Sequence, residues 1–421
     1  MKDEILDIFK EDFTIKVSFV FIFLFPIILL IGSALINTSI VIMNIFFLAH
    51  IFNKKKFSIF NNDIFYLLLA LWAILIINTL LNDNFIKNSE RSFGFIRFIL
   101  LIFSFSYFLS YKNFKFKKII LNFWTMIFII VSIDLIFEYF FGFNTLGFES
   151  PYYGRLAGFM GDQLKIGHWY LCFSLIVLAN SLKNNNKTFY LLLLLSLCIS
   201  FLIGERANFI RLFIATTFLV IFVQNFSFKF FASATVAIFF IFSLINFSND
   251  VILAKIKNRY VDQIYNVLKD DSIKKINNNF DNVYTPMYFN AYDLFKKNKL
   301  LGVGVGSFLK KSHENYTTNK EIDGYRILPN THPHQHHFEI LATLGLPGYI
   351  FIFLFLFYFL SKSIRFYFLK KEPINLSSFL MVFVFCLPLL PTGSFFNTYG
   401  AALFWLNFSL MNLGNFKNIN Y

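Results

Sequence analysis

Residues 331–360 read THPHQHHFEILATLGLPGYIFIFLFLFYFL. Four of the chain's seven histidines fall within six residues of this stretch: His332, His334, His336 and His337. Glu339 follows, inside a short apolar run from Phe338 to Leu344. The run breaks at Gly345-Leu346-Pro347-Gly348, and the chain is then almost purely apolar to Leu360. The stretch therefore passes from titratable side chains to the composition of a bilayer-crossing helix. Histidine's unperturbed pKa lies near neutrality, so it can take or give a proton there. A proton-handling cluster at a membrane surface is what a catalytic site there would need.

The rest of the chain frames that cluster. Of 421 residues, 57% are hydrophobic, and the mean hydropathy is +0.60. No soluble globular domain has this composition. Apolar runs of membrane-crossing length recur at about 15–32, 35–52, 64–81, 93–111, 119–142, 168–182, 188–204, 212–226, 230–247, 347–363, 377–394 and 397–414. The expected fold is an all-α polytopic integral membrane protein with about twelve transmembrane helices. Helices one to nine would fill 1–247, one large periplasmic loop 248–337, and helices ten to twelve 338–421. No cleavable signal peptide is read at the start, MKDEILDIFKEDF, which is acidic as well as basic.

The formal net charge is +14, but nucleic acid is not the expected partner. The lysines sit in short loops, where they set orientation. With the N-terminus in the cytoplasm, Lys54 to Lys56, Lys112 to Lys118, Lys183, Lys187, Lys229 and Lys362 to Lys371 all fall inside. Three segments then face outward: 143–167, the turn 204–211, and the long loop. A loop of that length in a compact protein is usually functional. The cysteines Cys172, Cys198 and Cys386 lie in apolar runs and indicate neither disulfides nor a metal site.

Charges at membrane depth are expected to be paired or functional. Arg97 is expected to pair with Asp134 or Glu138. Arg155, Arg206 and Arg211 fall on the outer face, where guanidinium forks would suit a pyrophosphate; the plainer reading of Arg206 and Arg211 is that they anchor helix ends. Gly302, Gly304 and Gly306 do not make a nucleotide loop, because no strand–loop–helix unit surrounds them. The histidines could form a metal site, but few carboxylates and no cysteine lie nearby. One catalytic histidine among structural neighbours is preferred.

These motifs resemble those of the O-antigen ligase and Wzy-type polymerase superfamily of bacterial membrane glycosyltransferases. His334, Gln335, Gly345 and Gly348 match its His-(Asn/Ser/Gln)-x9-Gly-x2-Gly motif without a gap. The run Gly302–Phe308 is similar to its glycine-rich segment, Arg206 to its arginine after the seventh span, and Gly154-Arg155 with Gly158 to its outer loop. Gln335 replaces the commoner Asn, and His336 and His337 are additional.

The resemblance implies transfer in the periplasm from an undecaprenyl-pyrophosphate-linked glycan donor to a lipid A-core or lipid-linked glycan acceptor, amid membrane lipids. No metal, nucleotide or other cofactor is implied. His334 and Arg206 would be catalytic. Arg155, Arg211, His332, Gln335, Gly302 and Gly304 would bind substrate. Ligase is the first reading and polymerase the alternative. A flippase or transporter is more distant, since its usual inverted repeat of broken helices is not visible.

Overall fold

The computed structural model describes residues 11–82, 85–152, 154–161, 163–182, 186–224, 254, 257, 284–322, 325–388 and 390–416. These residues are helical apart from loops and a two-residue hairpin. The first half of the chain holds α1 (Phe13–Ile31), α2 (Ser33–Lys54), α3 (Asp63–Leu81), α4 (Phe85–Gly94), α5 (Ile96–Phe141), α6 (Ile166–Leu182), α7 (Asn186–Leu202) and α8 (Arg206–Gln224). Then come α9 (Tyr284–Lys297), α10 (Phe308–Thr318), the antiparallel pair β1 (Glu321–Ile322) and β2 (Tyr325–Arg326), α11 (His336–Lys370), α12 (Pro373–Phe385) and α13 (Thr398–Met411). The run expected at 230–247 and most of 248–283 lie outside the described residues.

Seven described stretches are long and apolar enough to cross a membrane: α1, α2, α3, Ser89–Tyr111, Phe116–Phe141, Arg206–Val223 and α11. Helices α6, α7 and α12 are apolar but shorter. Phe357, Leu354, Leu191 and Ile31 are largely exposed, a placement suited to lipid and a liability in water. In contrast, α6 and α13 are buried nearly all round, as core helices are.

Two interior features follow from local chemistry. Pro26 in α1 lacks the N–H that would bond the Ile22 carbonyl. The Trp124 indole donates to that carbonyl at 3.1 Å, and Trp169 donates to Pro26 O at 2.9 Å. The second feature is a reversal in α5. Helix α5 spans 46 residues. Yet Phe105 meets Phe25, and Phe123 meets Phe23, at centroid distances of 4.9 and 3.6 Å. Eighteen residues of straight helix would separate the two by about 27 Å. The chain therefore doubles back between Phe105 and Phe123, and the two halves of α5 lie side by side, as expected for the fourth and fifth runs.

The expected pairing of Arg97 with Asp134 or Glu138 does not form. Arg97 donates to Gly94 O at 2.7 Å and lies over the Phe98 ring. The Asp134 carboxylate accepts from Thr145 N and Oγ1, and Glu138 accepts from Ala157 N and Gly158 N. Loop N–H groups need partners, and these two carboxylates supply them to the loop after α5.

The eleventh expected run also ends early. Helix α12 stops at Phe385, and the described residues of 386–397, CLPLLPTGSFFN, are irregular. Pro388 and Pro391 carry no N–H and disfavour helix before them. Irregular backbone at membrane depth persists only where protein satisfies it, and the side chains that do so come from around the histidine segment.

Candidate functional site

Helix α11 begins where the histidine segment ends. Gln335 is its N-cap: the side-chain oxygen accepts from His337 N at 2.5 Å and Phe338 N at 3.3 Å. Its amide donates to Leu387 O at 3.3 Å. Both ends of a residue expected to bind substrate are thus engaged in holding helix and loop.

The helix breaks at Gly345, with φ 69° and ψ −172°. The break frees carbonyls near its end, and Pro347 has no N–H to offer. The glycine-rich segment closes the gap. Val303 N donates to Ala342 O at 2.8 Å, Gly304 N to Thr343 O at 3.0 Å, and Leu346 N to Lys299 O at 2.7 Å. A Cβ on Gly302 would stand 2.4 Å from the Thr343 carbonyl carbon, and one on Gly345 2.4 Å from Leu300 O. Gly302 and Gly304, expected at the substrate, seal a helix break; close backbone approach requires glycine at 302, and a positive φ favours it at 304.

The four histidines are placed differently. His337 is fully engaged: Nε2 donates to Cys386 O and Nδ1 accepts from Tyr349 OH, both at 2.8 Å, and the ring stacks on Phe353. The buried His336 ring packs against Phe385 and Phe395. His332 and His334 face each other, with ring centroids 4.1 Å apart. His332 Nδ1 bonds Thr331 Oγ1 at 3.0 Å, while its buried Nε2 has no partner among the described residues. His334 is half-buried with φ 54°. A left-handed residue with a Cβ costs about 1–2 kcal/mol, and such strain clusters at functional sites. Its carbonyl accepts from Thr392 N at 2.7 Å, which fixes the backbone. Burial holds the His334 imidazole below its usual pKa. Burial and then the neighbouring His334 push His332 down to about 3. Both rings are therefore neutral near pH 7, the form that accepts a proton. Among the described residues no three of His, Cys, Asp and Glu converge as metal ligands would.

The irregular segment 386–397 joins this pair to the arginines. Arg211 is fully buried; Nε donates to Val384 O at 3.1 Å, Nη1 to Pro391 O at 2.8 Å and Asn208 Oδ1 at 3.3 Å, and Nη2 to Leu390 O at 2.8 Å. Gly393 N donates to His168 Nε2 at 3.2 Å. The buried Glu339 carboxylate accepts from Ser394 Oγ, and from Phe395 N at 2.7 Å. Arg211, expected at the substrate, is committed to this segment. No sequence expectation singled out Glu339, His168 or this loop as structural keys; Pro388, Pro391 and Gly393 were the available signal.

The expected outer segments do meet. Leu156 N donates to Ile203 O at 3.1 Å, and a Cβ on Gly204 would stand 2.3 Å from Gly154 O. Arg155 Nη2 lies 2.6 Å from the Glu205 carboxylate. Arg206, the first residue of α8, is half-buried. Its guanidinium has no ion-pair or hydrogen-bond partner among the described residues. Arg91 reaches Val305 O at 3.4 Å, and the positive charges of Arg91 and Lys165 contribute to the depression of His332. The neutral His332 imidazole thus lies within electrostatic reach of Arg91 and Lys165.

No curated protein matches the chain. The family model described as O-antigen ligase matches residues 191–353, which take in α8, the described part of the long loop and the front of α11. Arg206, Arg211, Gly302, Gly304, His332, His334, Gly345 and Gly348 all lie within that match, and this region of the chain is similar to the O-antigen ligase family.

Proposed function

We propose that this protein is a membrane glycosyltransferase of the ligase type. It moves a glycan from undecaprenyl pyrophosphate to a sugar hydroxyl of lipid A-core at the periplasmic face of the bacterial inner membrane. In this reading the chain has about twelve spans, with helices one to nine in 1–247, a large outer loop in 248–337 and the last three helices in 338–421.

The observation that carries the proposal is His334: a neutral, half-buried imidazole on a strained backbone, inside the stretch that matches the family. The acceptor hydroxyl attacks the anomeric carbon of the donor. Its proton passes to His334, and the bond from that carbon to the pyrophosphate oxygen breaks. The pyrophosphate leaves with the bonding electrons, and Arg206 stabilises the charge that develops on it. Arg155 and His332 line the same site, Arg155 tempered by its pair with Glu205. The reaction runs on these side chains without a metal or a nucleotide.

Deletion of the gene followed by a lipopolysaccharide gel tests the reading. Loss of all capping of the core, restored by the intact gene, is the expected result. A single-repeat band would assign the chain to polymerisation instead, and an unchanged gel would sink both.

A further inference from the structure

One flank of His334 carries no role in the scheme above. The ring of Tyr284, at the start of α9, stands edge-on to the His334 ring with centroids 5.6 Å apart. Tyr288, one helical turn on, stacks along Tyr284 at 6.4 Å and against Phe338 of α11 at 5.0 Å. The three rings form a ladder. Phe338 backs its inner end, and Tyr284 is exposed at its outer end, beside the histidine. The Tyr288 hydroxyl is buried and has no hydrogen-bond partner among the described residues.

Arg91 and Lys165 act on His332, whereas His334 is depressed by burial. The ring contacts run from Tyr284 to His334 to His332. Group transfer needs two subsites about its base. One holds the leaving anion, which positive charges such as those acting on His332 suit. The other must present a sugar hydroxyl.

Aromatic rings carry negative faces. A pyranose ring has a face of C–H groups with a slight positive polarisation, and its hydroxyls project from the rim. Such a ring lies flat on a tyrosine while its hydroxyls turn to polar partners. A ladder that served only to pack the core would not leave its terminal ring exposed against the base. We infer that Tyr284 and Tyr288 form the acceptor-sugar subsite: the acceptor's pyranose ring rests on Tyr284, the Tyr288 hydroxyl donates to one of its oxygens, and the attacking hydroxyl turns to His334. This rests on the role proposed for His334.

The test measures binding apart from transfer. Core oligosaccharide freed from lipid A, and repeat-unit glycan freed from its carrier, are each titrated into the purified full-length protein by saturation-transfer NMR. The parent protein should bind one of the two. Tyr284→Leu keeps bulk and loses the ring, and should weaken that binding about threefold to tenfold. Tyr284→Phe keeps the ring and should bind as the parent does. Tyr288→Phe removes one oxygen and should weaken binding about threefold or more. His334→Ala should bind the glycan and fail to transfer, which separates the subsite from the chemistry. The subsite is overturned if neither glycan binds the parent, or if Tyr284→Leu binds as tightly as the parent. Should Tyr284→Leu fail to fold, unchanged affinity in Tyr288→Phe overturns it equally. Binding by a parent protein that transfers nothing would instead contradict the proposed reaction.

Discussion

Arg206 and Arg211 stand five residues apart on one helix and have opposite fates. Five residues rotate the side chain by about 500°, so the two point about 140° apart. Arg211 faces the interior and donates to the carbonyls of Val384, Leu390 and Pro391. Arg206 points where no described residue answers it. Arg206→Lys keeps the charge and loses the fork. It should leave the melting temperature within error and cut transfer severely, if the guanidinium grips pyrophosphate. Arg211→Lys should do the reverse first: each buried carbonyl left without a donor costs about 1–3 kcal/mol, so the melting temperature should fall. Full transfer by Arg206→Lys would reduce Arg206 to a helix anchor. Sequence could mark both arginines as unusual on the outer face. It could not divide their roles, because the carbonyls that claim Arg211 lie about 180 residues away.

At the scale of elements, the existence of the helices was legible because their apolar runs are long. The reversal within α5 was legible as two runs parted by lysines. The segment 386–397 was not. Its leucines and phenylalanines extend an apolar run, and only its prolines and glycine betray irregular backbone. The glycine-rich segment was legible as important, and its packing partner was not. Its glycines serve helix α11, and the spacing of Gly302 and Gly304 gives no hint of the Thr343 carbonyl that they meet. Gly302→Ala combines φ +64° with a clash against backbone. It should destabilise the protein by roughly 1–3 kcal/mol, the cost of a strained residue or a lost buried bond. Gly306→Ala, at a position without positive φ, should melt as the parent does. Equal melting of the two variants would remove the sealing role. Tyr284 and Tyr288 went unnoticed for a simpler reason: in a chain with 20 tyrosines and 64 phenylalanines, one more aromatic pair at helical spacing carries no signal.

For the molecule as a whole, segment 386–397 is the junction. Side chains from α6, α8 and α11 and the backbone of His334 converge on it, so residues distant in sequence share one site. The central claim is that this site transfers glycan with His334 as base. The most direct test is the rate of transfer by purified protein, from undecaprenyl-pyrophosphate-linked glycan to lipid A-core, as a function of pH. A positioned base contributes about 10²–10⁴-fold, and His334→Ala should lose that factor with its fold intact. The parent's profile carries a second prediction. The folded pKa of His334 lies below the usual 6.5, so the neutral base persists as pH falls past that value and is lost only below it. Activity should hold down to about pH 6.5 and decline on the acid side of it. A His334→Ala protein that transfers at the parental rate, with the parental pH profile, would contradict the account.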